Sequence, residues 1–252
     1  MKRLIPLIVS LFACSVGWGA ITIAKTGSAY GDGSANSFNV TWTGGGSSGA
    51  GDTIVVYVFT NSGLLNVAVS DSGSNVYTSS QTWVHSHGND MYVWSIANAN
   101  AATTVTVTTA YNASVCEILD IQGLATSNVV DKTATVYDGG YGTNLAWTTN
   151  ASGTLSNSNE LVLAFLADSS GALTYSGTGC TQQVLNTGCA IFSKTVSATD
   201  SVTLSGTTSG TGWCDTGLLT YVGASVGSAT YQNKLRIQGG ALRIQGGKLG
   251  IQ

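Results

Sequence analysis

His85 and His87 are the only histidines in this 252-residue chain. They stand two apart on an expected strand, so both imidazoles project from one face, with Asp90 three residues on. Neutral imidazole pairs suit zinc or copper. No third fixed ligand is evident, and the polar turn Gly88-Asn89-Asp90 accounts for two solvated histidines equally well. A second acidic stretch, Glu117-Ile118-Leu119-Asp120-Ile121-Gln122, superficially resembles the acidic strand of some glycosidases. Glycoside hydrolysis needs two carboxylates facing each other about 5–10 Å apart. Glu117 and Asp120 are three apart and point to opposite faces of a strand, while Glu160, the only other glutamate, lies far along the chain. There is no G-x-S-x-G elbow, and any triad would have to draw on His85 or His87. No catalytic residue and no cofactor are expected.

Asp71-Ser72-Gly73-Ser74-Asn75 offers oxygens to calcium but lacks the acidic density and closing glutamate of a calcium loop, so it reads as a turn. Setting Cys14 aside, Cys116, Cys180, Cys189 and Cys214 remain, with no C-x-x-C pair to suggest a metal site. In an exported chain an even number of cysteines predicts disulfides, with three possible pairings. Cys180 and Cys189 bracket an expected hairpin, which leaves Cys116 to pair with Cys214. Closing that long loop would stabilise the fold by about 4–5 kcal/mol in the chain-entropy picture. Among the aromatics, Tyr137 and Tyr141 flank Asp138-Gly139-Gly140, where exposed rings would stack on a sugar face, and Trp83 and Trp147 complete the candidate glycan-binding set. The competing reading puts Trp83, Tyr92, Trp94, Trp147 and Trp213 in or over the core.

The elements that must carry these residues are strands. The segment GDTIVVYVFT (51–60) holds six consecutive apolar residues, the pattern of a central strand covered on both faces. It returns as NELVLAFLA (159–167), again with an acidic start and a polar finish. Other strands are expected at 21–25, 37–43, 64–70, 75–78, 82–87, 91–97, 104–108, 114–122, 129–137, 145–149, 181–185, 190–196, 201–204 and 217–222, near the ten-residue spacing of sandwiches. Segments 64–70 and 75–78 would form a hairpin about Asp71–Ser74, and 104–108 alternates strictly, leaving a threonine ladder towards water. Charged residues are 8%, against about 25% in ordinary soluble domains, and the single proline is Pro6. Serine, threonine, asparagine and 33 glycines supply surface polarity and disfavour helix. The expected fold is all-β, an antiparallel two-sheet sandwich of jelly-roll type.

In this order, GDTIVVYVFT, VSDSGSNVYT, MYVWSIANANAATTVTVT, EILDIQGLATSNVVDKTATV, NELVLAFLA and GWCDTGLLTY resemble a β-sandwich module of secreted bacterial surface proteins and some phage structural proteins. The likeness runs over residues 35–223 and rests on hydrophobic pattern and turn residues. It implies a non-catalytic extracellular module and transfers no site residues.

The two ends carry their own signals. Lys2 and Arg3, the apolar run 4–13 and the small residues Ser15, Gly17, Gly19 and Ala20 have the layout of a secretory signal peptide over residues 1–20. Leu11-Phe12-Ala13-Cys14 is a weaker lipoprotein-box match that would lipidate Cys14. The sandwich would occupy 21–225 and a repetitive tail 226–252. That tail reads KLRIQGG, ALRIQGG, KLGIQ, in which paired glycines argue for short strands joined by tight turns and against a coiled coil. Leu235, Arg236, Ile237, Leu242, Arg243 and Ile244 are the candidate assembly residues. With Lys2 and Arg3 removed, the body has three bases against twelve acids, a net of −9, while the tail carries Lys234, Arg236, Arg243 and Lys248 and no acid. No basic patch suits nucleic acid, and no segment beyond the leader is apolar enough to span a membrane. The chain is therefore expected to be a secreted structural or adhesive protein that associates through its β-edges and tail. A carbohydrate-binding module is the second reading, and a glycan-active enzyme a distant third.

Overall fold

The computed structural model describes residues 20–31, 37–60, 66–84, 90–109, 114–168, 173–186, 188–225, 235–238 and 241–244. The leader, Cys14, His85 and His87 lie outside them. The described chain is all strand and turn. Its first half runs β1 (Thr22–Gly31), β2 (Ser37–Thr41), β3 (Thr53–Thr60), β4 (Ala68–Asp71), β5 (Thr78–Trp83), β6 (Asp90–Ile96), β7 (Thr104–Thr108) and β8 (Ser114–Gln122). The second runs β9 (Val130–Thr143), β10 (Ala146–Thr148), β11 (Glu160–Ala167), β12 (Thr174–Thr178), β13 (Thr181–Asn186), β14 (Cys189–Val196), β15 (Ser205–Ser209) and β16 (Thr211–Val222). A hairpin, β17 (Leu235–Gln238) and β18 (Ala241–Ile244), forms a separate unit.

The antiparallel sandwich expected from the pattern is present, and its topology repeats. The first half forms a five-stranded sheet ordered β1-β8-β3-β6-β5 and a three-stranded sheet β2-β7-β4. Adding eight to each strand number gives the second half, β9-β16-β11-β14-β13 and β10-β15-β12. Register repeats with it. Tyr57 of β3 faces Glu117 and Val93, and Phe165 of β11 faces Gly217 and Ile191. The chain is thus two copies of one eight-strand topology.

Three cores follow from strand alternation. Val55, Tyr57 and Phe59 from β3 meet Leu161, Leu163 and Phe165 from β11 in a central core between the two large sheets. The alternate residues Ile54, Val56 and Val58 turn outward against Val40, Val105 and Val107 of the first small sheet. Val162, Ala164 and Leu166 do the same against Trp147 and Tyr175 of the second. The unbroken apolar runs of β3 and β11 are explained by this two-sided burial, which is complete along both strands.

Several expectations are corrected. Asp71–Ser74 is a turn, but it does not close a hairpin, because β4 pairs with β7 and β5 with β6. Its Asp71 carboxylate accepts from the Gly73 and Asn75 N–H groups (2.9 and 3.0 Å), Asn75 Nδ2 (2.7 Å) and Tyr77 OH (2.7 Å), so its oxygens are committed to the turn. The strand expected at 201–204 begins instead at Ser205, and Thr174–Thr178 is a strand that its Gly- and Ser-rich sequence does not announce.

All four outer strands of the large sheets are bulged. Ala24 in β1, Ser80 in β5 and Gln183 in β13 are each an extra residue against the neighbouring strand. Along β9 three register offsets each add a residue. Bulges break the ladder that another strand would need, so they guard edges that carry few charges and no proline. The hairpin β17–β18 has no such interruption: Leu235 pairs with Ile244, Arg236 with Arg243 and Ile237 with Leu242.

Trp83 fits the central core because Gly217 stands opposite it. A Cβ at position 217 would lie 2.6 Å from two Trp83 ring atoms. Gly217→Ala should therefore destabilise the protein by about 1–3 kcal/mol through overpacking. Urea unfolding followed by tryptophan fluorescence measures this, and an unchanged midpoint would contradict the packing.

Candidate functional site

Buried polar groups stand on both faces of the large sheets. Thr60 closes β3 opposite Asp90 and Ser114, which open β6 and β8, and all three are buried. Glu117 and Asp215 are fully buried on the face that Tyr57 and Ala167 share. Tyr57 donates its hydroxyl to the Leu166 carbonyl (2.9 Å) and packs on Phe165 with ring centroids 5.1 Å apart. Burial pushes the Glu117 carboxyl up to about 8, opposed by the Cys189 thiol and the Asn186 backbone. Burial likewise raises Tyr57, whose phenol is also surrounded by Cys189, Glu117, Tyr175 and Asp215.

The expectation that Glu117 and Asp120 lie on opposite faces agrees with their positions on β8. Asp120 shares the outward face with Ile118 and accepts from the Gly49 N–H (3.0 Å), and burial raises it to about 6. Asp215 is a second carboxyl enclosed by the core that local spacing did not single out, and neither it nor Glu117 opens onto a cleft.

The candidate metal set is not assembled among the described residues. Asp90 is fully buried, within reach of the Tyr92 hydroxyl (3.2 Å), and no group of three His, Cys, Asp or Glu side chains is placed to hold an ion. The candidate glycan set divides. Trp83 and Trp147 are core residues whose indole N–H groups donate to the carbonyls of Ala134 (2.9 Å) and Ser176 (3.0 Å), so neither is available to a ligand. Tyr137 lies on β9 opposite Thr216. Tyr141 is 61% exposed and sits 5.4 Å from Trp213, which is half-buried rather than in the core. β9, fourteen residues long, runs with β16 past the end of β11 and carries Tyr141 to this position.

The disulfides are corrected as well, since Cys116, Cys180, Cys189 and Cys214 are all free thiols. Thr181 pairs with Ser193 and Asn186 with Cys189, so Cys180 lies at the open end of the hairpin and Cys189 at its turn. Cys116 belongs to the first outer core and Cys214 to the second, with both large sheets between them. Bracketing a hairpin in sequence did not bring the sulfurs together, because alternation sent them to different layers.

No family model, no curated protein and no solved structure matches this chain. Among the described residues no helix is long and apolar enough to cross a membrane.

Two measurements test these assignments. Under native conditions a thiol reagent should label Cys180, which is half-buried, while Cys116, Cys189 and Cys214 react only after unfolding. Reaction of all four at one rate, or of none after denaturation without reductant, would contradict the placement. The second concerns pH. A carboxyl raised from 4.5 to about 8 on folding leaves stability intact below pH 4.5 and erodes it as pH rises towards 8. Glu117→Gln should therefore gain on the parent by on the order of 2–4 kcal/mol between pH 5 and pH 8 in urea titrations. A constant difference between the two proteins across that range would show that Glu117 ionises freely in the fold.

Proposed function

We propose that this chain is a non-catalytic structural or adhesive module, displayed outside the cell, whose copies associate through the C-terminal hairpin. One contrast carries the reading. The outer strands of both large sheets are bulged, whereas β17–β18, like the short edges of the small sheets, pairs without interruption, and its sequence alternates Leu235, Ile237, Leu242 and Ile244 with polar residues. An isolated two-stranded hairpin is marginal in water. Its aliphatic residues call for a partner, and Arg236 directly opposite Arg243 adds an unfavourable like-charge pair that an acid would relieve. A second copy of the chain offers both an identical hairpin for strand addition and a body of net charge −9.

The remaining features support the same reading. The order 1-8-3-6 beside 2-7-4 in each half is that of a jelly roll, a fold used by capsid and lectin domains, with β5 and β13 moved onto the larger sheet. We take each half as one such roll. Fold alone does not assign function, but enclosed carboxyls and a charge-poor Ser/Thr surface suit a module that binds or builds rather than one that turns over substrate. The basic, apolar leader supports export, and the acidic body disfavours nucleic acid. Carbohydrate binding is the second reading, favoured by the exposed Tyr141 ring beside Trp213.

Light scattering on the mature protein and on a version lacking residues 234–252 tests the assembly. The full chain should give a mass above the monomer at low salt that falls in high salt, and the shortened chain should be monomeric throughout. A full chain that stays monomeric at every concentration would remove self-association from the proposal.

A further inference from the structure

The bulge at Ser80 has a second consequence. Beside it lies a cavity of about 510 Å³, walled by residues 78–80 of β5, 95–97 at the end of β6, and the connection 126–130 that leads into β9. Ser79 and Asn128 stand exposed at its rim, Ser95 is buried at its base, and Ile96 and Val130 provide apolar wall. Ser80 and Ser95 hydrogen-bond through their hydroxyls, and Ser95 also faces the buried Tyr221 hydroxyl from β16. Not one side chain lining the cavity is ionisable.

The matching bulge in the other half of the chain carries a longer side chain. Gln183 is the equivalent extra residue of β13, and its amide donates to Ser193 (2.7 Å), the equivalent of Ser95. Serine at position 80 makes the same contact with a shorter side chain. The geometry points to a binding site here for a neutral, polyhydroxylated ligand the size of one or two sugar rings. Its hydroxyls exchange donors and acceptors with the serines and Asn128, and its C–H face rests on Ile96 and Val130. The volume falls within the range of small-molecule pockets. A charged ligand would lose hydration against a lining that supplies no countercharge, so neutral sugars are preferred over uronic acids. This site is separate from the Tyr141–Trp213 pair and independent of the tail.

The test is a ¹H–¹⁵N titration of the full chain with maltose, cellobiose and lactose, and with glucuronic acid as the charged comparison. At least one neutral disaccharide should shift the amides of Ser79, Ser95 and Asn128, with glucuronic acid weaker. Ser80→Gln installs the side chain the other repeat already accommodates and should weaken binding about tenfold or more. Ser79→Trp, at the exposed rim, should give the same loss without touching the core, and Tyr141→Ala should leave binding unchanged. The proposal is overturned if no neutral disaccharide binds at concentrations on the order of tens of millimolar. It is equally overturned if the shifts centre on Tyr141 and Trp213, or if both blocking variants bind as the parent does.

Discussion

The molecule depends on one contact, the packing of two five-stranded sheets against each other through the inward residues of β3 and β11. Tyr57, Phe165 and Leu163 are completely buried there, and removing either sheet would expose an aliphatic and aromatic face. Because the outward residues of the same strands are buried again under the small sheets, β3 and β11 contact no water on either side. That arrangement needs unbroken apolar strands. It also leaves polar side chains little room except at strand ends, which is where Thr60, Asp90 and Ser114 are found.

Duplication alone would make the two inner faces equivalent, and they are not. Trp83 on β5 lies over Gly217 on β16. At the matching place Asn186 on β13 stands by Glu117 on β8. A large ring over a glycine on one side is matched by a smaller residue beside a glutamate on the other. The exchange keeps both sites filled, at the cost of a carboxyl in the core whose pKa burial raises to about 8. Cys189 supports it by replacing the bulkier Met91 of the first half, which makes room for the Glu117 side chain.

Much of this was legible in the sequence because local patterns record burial. Six apolar residues in a row at 54–59 identify a strand covered on both faces, and Thr104–Thr108 reads directly as one face in and one face out. The recurrence of the central pattern in NELVLAFLA is the visible trace of the duplication. Its extent was hidden because matching positions conserve side-chain direction rather than identity, as Tyr57 and Phe165 or Glu117 and Gly217 illustrate. Features that depend on which layer a residue enters were not legible. Cys180 and Cys189 look like partners until register separates the two ends of their hairpin. Trp213 could not be told from a core tryptophan, because its exposure follows from β9 and β16 extending beyond the rest of their sheet.

With three cores closed, contacts to anything else must come from edges, strand ends and the tail. The edges are treated in two ways that one device explains. A bulge adds a residue, and that residue breaks the regular ladder on which a foreign strand would pair. The same extra residue must send its side chain somewhere. In β13 the long Gln183 reaches back to Ser193, while in β5 the short Ser80 bonds Ser95 beside the cavity walled by residues 126–130. Protection from strand addition and the opening of a polar cavity are therefore the same structural event seen with two different side chains. Bulging is confined to the outer strands of the large sheets, since the short edges β2, β4, β10 and β12 of the small sheets pair without interruption.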